Sequence, residues 1–480
     1  MSGRTQPFIF GDDRNNPQAR PGAAAPGVSA APDTIYALST AAGRAGVAVF
    51  RLSGPDCHDL LRDLTDGTLH PPRVVGLTTL RHPSSGEVLD RGLVVRFAAP
   101  ASFTGEDMAE LHVHGGPAVV AAVADALTDL NAADRPVRLA EPGEFARRAF
   151  ENGKLDLTAA EGIADLVAAE TEAQRRQALR QMDGALGVAY DGWRDRLLTA
   201  LAHVEAAIDF SEEDLPEGLI PQAHAVVADV AAELRAHLDD GHRGERLRDG
   251  VSVVIVGPPN VGKSTLLNAL ARRDVAIVSD AAGTTRDLIE VHLDLGGLPV
   301  ILTDTAGLRT AAETVEAEGV RRARARAAAA DIRLLMMDAR DWPAIGDEVE
   351  ALWDDDAILI LNKLDLAESE APAPPAPPDG RRMIALSAHT GAGLAGLVEL
   401  LEAAARQCLA ETASAPLTRA RHRVALEDCC AALARARAAV LPELVAEDMR
   451  LAVRALGRIT GRVDVEDILD VIFREFCIGK

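Results

Sequence analysis

The stretch Gly257-Pro258-Pro259-Asn260-Val261-Gly262-Lys263-Ser264 follows the run Val251–Val256 and leads into an apolar helical segment, Leu266–Leu270. The β-branched run before it suits a strand buried on both faces of a parallel sheet. Its two glycines let backbone N–H groups converge on an anion, and the helix starting behind them adds positive potential. This is phosphate-loop spacing in the strand–loop–helix context that such a loop requires. The side chains then have definite tasks. Lys263 reaches the β- and γ-phosphates, and Ser264, with Thr265 beside it, opens the helix and offers a hydroxyl to Mg²⁺.

Three further segments follow in the order that guanine-nucleotide binding requires. Asp304-Thr305-Ala306-Gly307 closes the strand candidate Val300–Thr303: the carboxylate holds Mg²⁺ through water, and Gly307 senses the γ-phosphate. Asn362-Lys363-Leu364-Asp365 closes Ile358–Leu361, and Asp365 can accept two hydrogen bonds from the guanine edge that adenine cannot donate. Ser387-Ala388 is placed to close over the guanine carbonyl. Together the four segments select GTP over ATP. In the loop Gly283-Thr284-Thr285-Arg286-Asp287, Thr285 is the candidate for a second Mg²⁺ hydroxyl, ordered by the γ-phosphate. The residue after Gly307 is Leu308, where a water-orienting glutamine would sit. The orienting group must come from elsewhere, and Glu313, Glu316 and Glu318 follow closely. Taken alone, each reads as a solvated helix carboxylate.

Outward from this site, Ile332–Met337 supplies another strand candidate, and strands alternate with helices over residues 249–405, as in a doubly wound α/β domain. Both flanks are helical. Trp193, Leu197, Leu201, Val204 and Ile208 form one apolar stripe within residues 153–248. Helices return over 406–480, the last with Asp464 as N-cap and Ile468, Leu469, Ile472, Phe473 and Phe476 on one face. The expectation is an α/β P-loop G domain inserted in an all-α helical domain. Residues 33–152 mix short β-like runs, Gly46–Leu52 and Gly92–Phe97, with a helix-like Ala118–Leu130, so an α+β domain precedes it. Residues 1–32 are aperiodic and rich in Pro, Ala and Gly, as a disordered tail would be, and Ala371–Pro378 reads as an exposed loop.

Composition bounds the rest. The chain has 480 residues, 48% of them hydrophobic, enough for several cores. No run of about 18 uncharged apolar residues occurs, so no membrane span is expected, and the start lacks a signal-peptide core, so a cytoplasmic location is expected. Five cysteines without metal-ligand spacing read as reduced thiols. A formal charge of -23 argues against broad affinity for nucleic acid. Arg419, Arg421, Arg423, Arg435 and Arg437 fall at helical spacing and read as a solvated face, with RNA contact as the alternative.

Outside the nucleotide motifs stand Gly43-Arg44 with Arg51-Leu52-Ser53-Gly54, Phe103-Thr104-Gly105-Glu106-Asp107 with His114-Gly115-Gly116, Glu141-Pro142-Gly143-Glu144-Phe145 with Asn152-Gly153-Lys154-Leu155-Asp156, and the terminal Phe476-Cys477-Ile478-Gly479-Lys480. With these blocks in this order the chain resembles the MnmE/TrmE family of tRNA-modifying GTPases, from about Asp33 to Lys480. The resemblance implies an N-terminal folate-binding domain that makes a homodimer, a discontinuous helical domain and the inserted G domain. It implies a reaction with the flavoprotein partner MnmG, in a heterotetramer, that installs aminomethyl or carboxymethylaminomethyl groups on carbon 5 of the tRNA wobble uridine. A 5-formyl- or methylene-tetrahydrofolate would supply the carbon. Carried over by position, Arg51, Glu110, Lys154 and Lys480 match folate contacts, Cys477 the cysteine near the folate, and Glu316 the catalytic glutamate. Asn260, with Ser279, Ala281 and Thr284, matches a K⁺ site whose charge replaces an arginine finger and which completes when two G domains meet. Read without the family, Arg51 and Glu110 are ordinary strand-end charges. The other class of function open to this sequence is a regulatory GTPase of ribosome assembly, which has no use for the folate-like blocks.

Overall fold

The computed structural model describes residues 33–210, 218–273, 275–277, 290–304, 326–366, 381–409, 416–463, 466–474, 476, 478 and 479. The 1–32 tail, the Ala371–Pro378 loop and the Asp464 cap lie outside them. The chain divides into two compact units, Met1–Leu155 with Phe473–Lys480, and Asp156–Ile472.

The first unit runs β1 (Thr34–Leu38), β2 (Ala45–Ser53), α1 (Cys57–Leu64), β3 (Gly76–Arg81), β4 (Val88–Phe97), β5 (Met108–Gly115), α2 (Pro117–Asp129), β6 (Val137–Leu139) and α3 (Glu144–Glu151). Its sheet has the order β3-β4-β5-β2-β1-β6, antiparallel except where β6 joins β1 in parallel. Strand alternation sends Phe50, Leu52, Val94, Leu111 and Val113 to one face, where they pack with Leu60, Leu61, Val123 and Leu127 of α1 and α2. Alternate residues, among them Arg51 on β2 and Glu110 on β5, lie on the other face as cross-strand neighbours.

The second unit opens with α4 (Leu157–Ala168), α5 (Glu172–Met182), α6 (Ala185–Asp209), α7 (Leu219–Leu238) and α8 (Arg243–Asp249). Then come β7 (Val251–Val256), α9 (Lys263–Ala271), β8 (Glu290–Leu295), β9 (Leu298–Asp304), β10 (Ile332–Asp338), α10 (Asp347–Glu350), β11 (Ala357–Asn362), β12 (Arg382–Ala385) and α11 (Leu394–Cys408). After them stand α12 (Ala420–Ala438), α13 (Pro442–Thr460) and α14 (Glu466–Arg474), whose last two residues, Phe473 and Arg474, belong to the first unit. No helix among the described residues is long and apolar enough to cross a membrane.

The sheet order is β12-β11-β10-β7-β9-β8, parallel except for the edge strand β8. β10 and β11 are buried at every position. Leu334, Met336, Ile358 and Ile360 enter a cluster on one face, and Leu335, Met337, Leu359 and Leu361 a cluster on the other. Strands covered on both faces need no polar alternation, which is why they read as continuous apolar runs. The chain passes from β7 to β9 on one side and returns to β10 on the other, so the order reverses at β7. Ligands of open α/β sheets bind beyond the strand ends at such a reversal.

Helices from before and after this sheet share one core. Leu197, Leu201 and Val204 of α6 and Val227, Val230 and Leu234 of α7 pack with Leu426 and Leu433 of α12 and Met449 and Leu456 of α13. The arginines at the start of α12 are not a solvated face. Arg421 Nε donates to Glu161 Oε1 at 2.6 Å, His422 Nε2 lies 2.9 Å from Glu161 Oε2, and Arg419 Nη2 and Arg423 Nη2 donate to Asp165 and Asp240 at 2.8 and 2.7 Å. Glu161 is fully buried. Burial alone would raise its carboxyl, but the His422 ring and the Arg421 guanidinium outweigh that and hold it well below the usual carboxylate range.

Candidate functional site

β7 delivers the chain to the phosphate loop beside the C-terminal end of β10. Gly262 caps α9 with φ +106°, and a Cβ there would stand 2.4 Å from Asn362 Nδ2. Only glycine fits that backbone and that approach. Asn260 also turns through the left-handed region, at φ +61°. Lys263 Nζ donates to the carbonyls of Gly257 and Pro258 at 2.8 and 2.9 Å, so its ammonium spans the loop that would cradle a phosphate. Ser264 Oγ donates to Asp304 Oδ2 at 2.8 Å, while Thr265 is exposed on the next position of the helix. A hydroxyl and a carboxylate that close, at a helix N-terminus, are the hard oxygen donors that suit Mg²⁺.

The segment after β11 is tied to this loop. Asn362 Nδ2 donates to the Val261 carbonyl at 2.7 Å, and its Oδ1 accepts from Ala388 N at 2.9 Å. One buried amide thereby joins the phosphate loop to the segment after β12. Asp365 Oδ1 accepts from Ser387 Oγ at 2.5 Å, and Lys363 Nζ lies 3.1 Å from Asp338 Oδ2. Asn260, Gly262, Lys263, Ser264, Asp304, Asn362, Lys363, Asp365, Ser387 and Ala388 are therefore gathered at one edge of one sheet. Gly307, Glu316, Thr285, Ser279, Ala281 and Thr284 lie outside the described residues. Asp338 carried no signal of its own in the sequence beyond its place at the end of a strand.

A second cluster lies in the first unit. Arg51 Nε and Nη2 donate to Glu110 Oε1 at 3.2 and 3.0 Å, and His112 Nε2 lies 3.2 Å from Glu110 Oε2. The Arg51 guanidinium sits 5.7 and 5.8 Å from the ring centres of Phe103 and Phe145. Its Nη1 also reaches the Gly479 carbonyl at 3.4 Å, which Ser39 Oγ contacts at 3.1 Å, and Ile478 pairs with Pro142. The Arg51–Glu110 pair is thus a half-buried cross-strand pair met by the end of the chain. Lys154 Nζ donates to the Pro100 carbonyl at 3.2 Å. Cys477 and Lys480 lie outside the described residues.

Comparison with known proteins covers both units. The family profile described as "MnmE helical domain" matches residues 157–477, and that described as "GTP-binding protein TrmE N-terminus" matches residues 34–154. A Parvibaculum lavamentivorans protein named "tRNA modification GTPase MnmE" is 58% identical over 452 residues, 93% of this chain and 100% of that one. A Paramagnetospirillum magneticum protein of the same name is 55% identical, again over 93% of this chain and all of its own. Among solved structures, an Aquifex aeolicus Era variant bound to GDP and AlF4⁻ is 27% identical over 38% of this chain and 66% of its own, with a TM-score of 0.25, too partial to bear on the arrangement here. Matches that run from residue 34 to residue 477, and relatives more than half identical along their whole length, lead to one conclusion: the chain belongs to the MnmE family.

Proposed function

We propose that this chain is a GTPase that, as a homodimer working in the cytoplasm with the flavoprotein MnmG, modifies carbon 5 of the tRNA wobble uridine with a one-carbon unit from tetrahydrofolate. The observation that carries the reading is the set of three hydrogen bonds that ties the segments of the nucleotide site together. Asn362 joins the phosphate loop to Ala388 while Ser387 holds Asp365, which prepares that carboxylate for the two N–H groups of guanine. The α/β unit is the G domain, inserted in a helical domain whose two parts share one core.

Each residue then has a task. Lys263 exchanges its two loop carbonyls for phosphate oxygens. Ser264, Asp304 and Thr285 would hold Mg²⁺, which would offset the charge developing on the transferred phosphoryl group. Asn260, with Ser279, Ala281 and Thr284, would hold K⁺ when two G domains meet and supply positive charge for hydrolysis, and Glu316 would orient the attacking water. In the first unit, Glu110 accepts from the pteridine ring, while Arg51, Lys154 and Lys480 take the acidic glutamyl tail of the folate. By its place in the sequence, Cys477 is the cysteine proposed to serve the same folate. The fit rests on the donor set: a carboxylate, a guanidinium and two phenyl rings on one sheet face.

The deciding experiment is mass spectrometry of tRNA nucleosides from cells lacking this chain. Loss of 5-aminomethyl-type wobble uridines, restored by the parent chain and not by Lys263→Ala, is the expected result. An unchanged nucleoside profile would overturn the tRNA reading and favour a GTPase of ribosome assembly.

A further inference from the structure

The base-reading turn after β11 depends on a residue of the neighbouring strand. In the parallel register Asp338, the last residue of β10, stands beside Asn362, the last residue of β11. The next residue, Lys363, takes φ +65°, a left-handed backbone that an L-residue adopts only when its surroundings hold it there. That single reversal turns the chain from the strand into the short 3₁₀ turn Leu364–Leu366, in which Asp365 meets Ser387. The backbone contributes two holds, Leu364 N to Leu386 O at 3.2 Å and Leu366 N to Lys363 O at 2.9 Å. The side chain of Lys363 contributes the third, its contact with Asp338 Oδ2 at 3.1 Å.

Asp338 is itself fixed. It is 9% exposed, its Oδ1 accepts from the backbone and Nε of Arg340 at 3.1 and 2.9 Å, and its Oδ2 accepts from Arg340 Nη2 at 2.6 Å. The Arg340 guanidinium first, and Lys363 with it, holds the Asp338 carboxyl well below the usual carboxylate range. It therefore stays an anion throughout the neutral range.

We propose that Asp338 is a positioning residue for guanine recognition. By anchoring the Lys363 ammonium it locks the left-handed turn that aims Asp365, without itself touching the nucleotide. The inference rests on the GTP reading given above. Its simpler rival is that Asp338 only caps the short turn Ala339–Asp341, whose N-terminal N–H it accepts. The two differ in their dependence on Lys363.

The test is a double-mutant cycle on the full chain, read by stopped-flow release of a fluorescent GDP. Asp338→Asn is expected to speed release about 10-fold in the parent and less than about 2-fold in a Lys363→Met background, because the partner is already gone. Asp338→Ser provides a second route, since serine keeps the cap but cannot pair with the ammonium. It should release GDP as fast as Asp338→Asn. Equal effects of Asp338→Asn in both backgrounds, or parent-like release by Asp338→Ser, would overturn the proposal. A parent chain that binds no guanine nucleotide would refute the GTP reading instead.

Discussion

Ser264 Oγ and Asp304 Oδ2 lie 2.8 Å apart although they belong to different motifs, one opening α9 and the other closing β9. The neighbouring parallel strands β7 and β9 bring them together. If both serve Mg²⁺, either Ser264→Ala or Asp304→Asn should slow GTP turnover at least ~100-fold, and the double variant should be little worse than the single ones. Steady-state hydrolysis across a Mg²⁺ titration measures this. Turnover within a few-fold of the parent would remove the pair from the metal site.

The buried Glu161 makes an acid-stability prediction. Its folded carboxyl sits below its ordinary value of 4.5, so its contribution is complete above about pH 4.5 and is lost as pH falls toward the folded value. Glu161→Gln leaves Arg421 without its buried anion and should cost about 3–5 kcal/mol at pH 7. It should also flatten the fall of Tm below pH 4.5 relative to the parent. Thermal melts by circular dichroism at a series of pH values decide this, and parallel curves would count against it.

Arg51→Ala should weaken binding of 5-formyltetrahydrofolate at least ~10-fold, measured by titration calorimetry. The loss combines a missing donor with a Glu110 that keeps only His112 among the contacts described for it. Unaltered affinity would place the folate elsewhere.

Gly143 has φ +69°, and a Cβ on it would stand 2.4 Å from the Phe473 carbonyl. Gly143→Ala should therefore cost about 1–3 kcal/mol and loosen the segment that carries Ile478 and Gly479. Amide exchange at Ile478 and Gly479 should speed up while exchange in β10 and β11 does not change. Uniform exchange across the chain would contradict this.

Some of this was legible before any coordinates. Runs such as Ile332–Met337 announce themselves because both faces of a central parallel strand are apolar. The phosphate loop is legible because its glycines and lysine are bound to fixed spacings. Arg421 was not, because helical spacing says which side chains share a face and nothing about what lies opposite. Its partner Glu161 is 260 residues away in the chain. The pairing of Arg51 with Glu110 was hidden for the same reason, since it depends on the register between β2 and β5. β6, with 3 residues, is too short for any periodicity to show.

The return of Ile478 and Gly479 to the first sheet gives that unit a timetable. Its last strand ends at Leu139, so the sheet can pair while most of the chain is still unmade. At 5–20 residues per second on the ribosome, the partner for Ser39 and Arg51 emerges roughly 20–70 s later. Throughout that interval Arg51 has the Phe103 and Phe145 rings beside it but not the Gly479 carbonyl, and a chain released early by truncation would carry a formed sheet that never acquires this contact. The second unit has no such wait for its sheet, whose strands β7 to β12 are made in one continuous stretch.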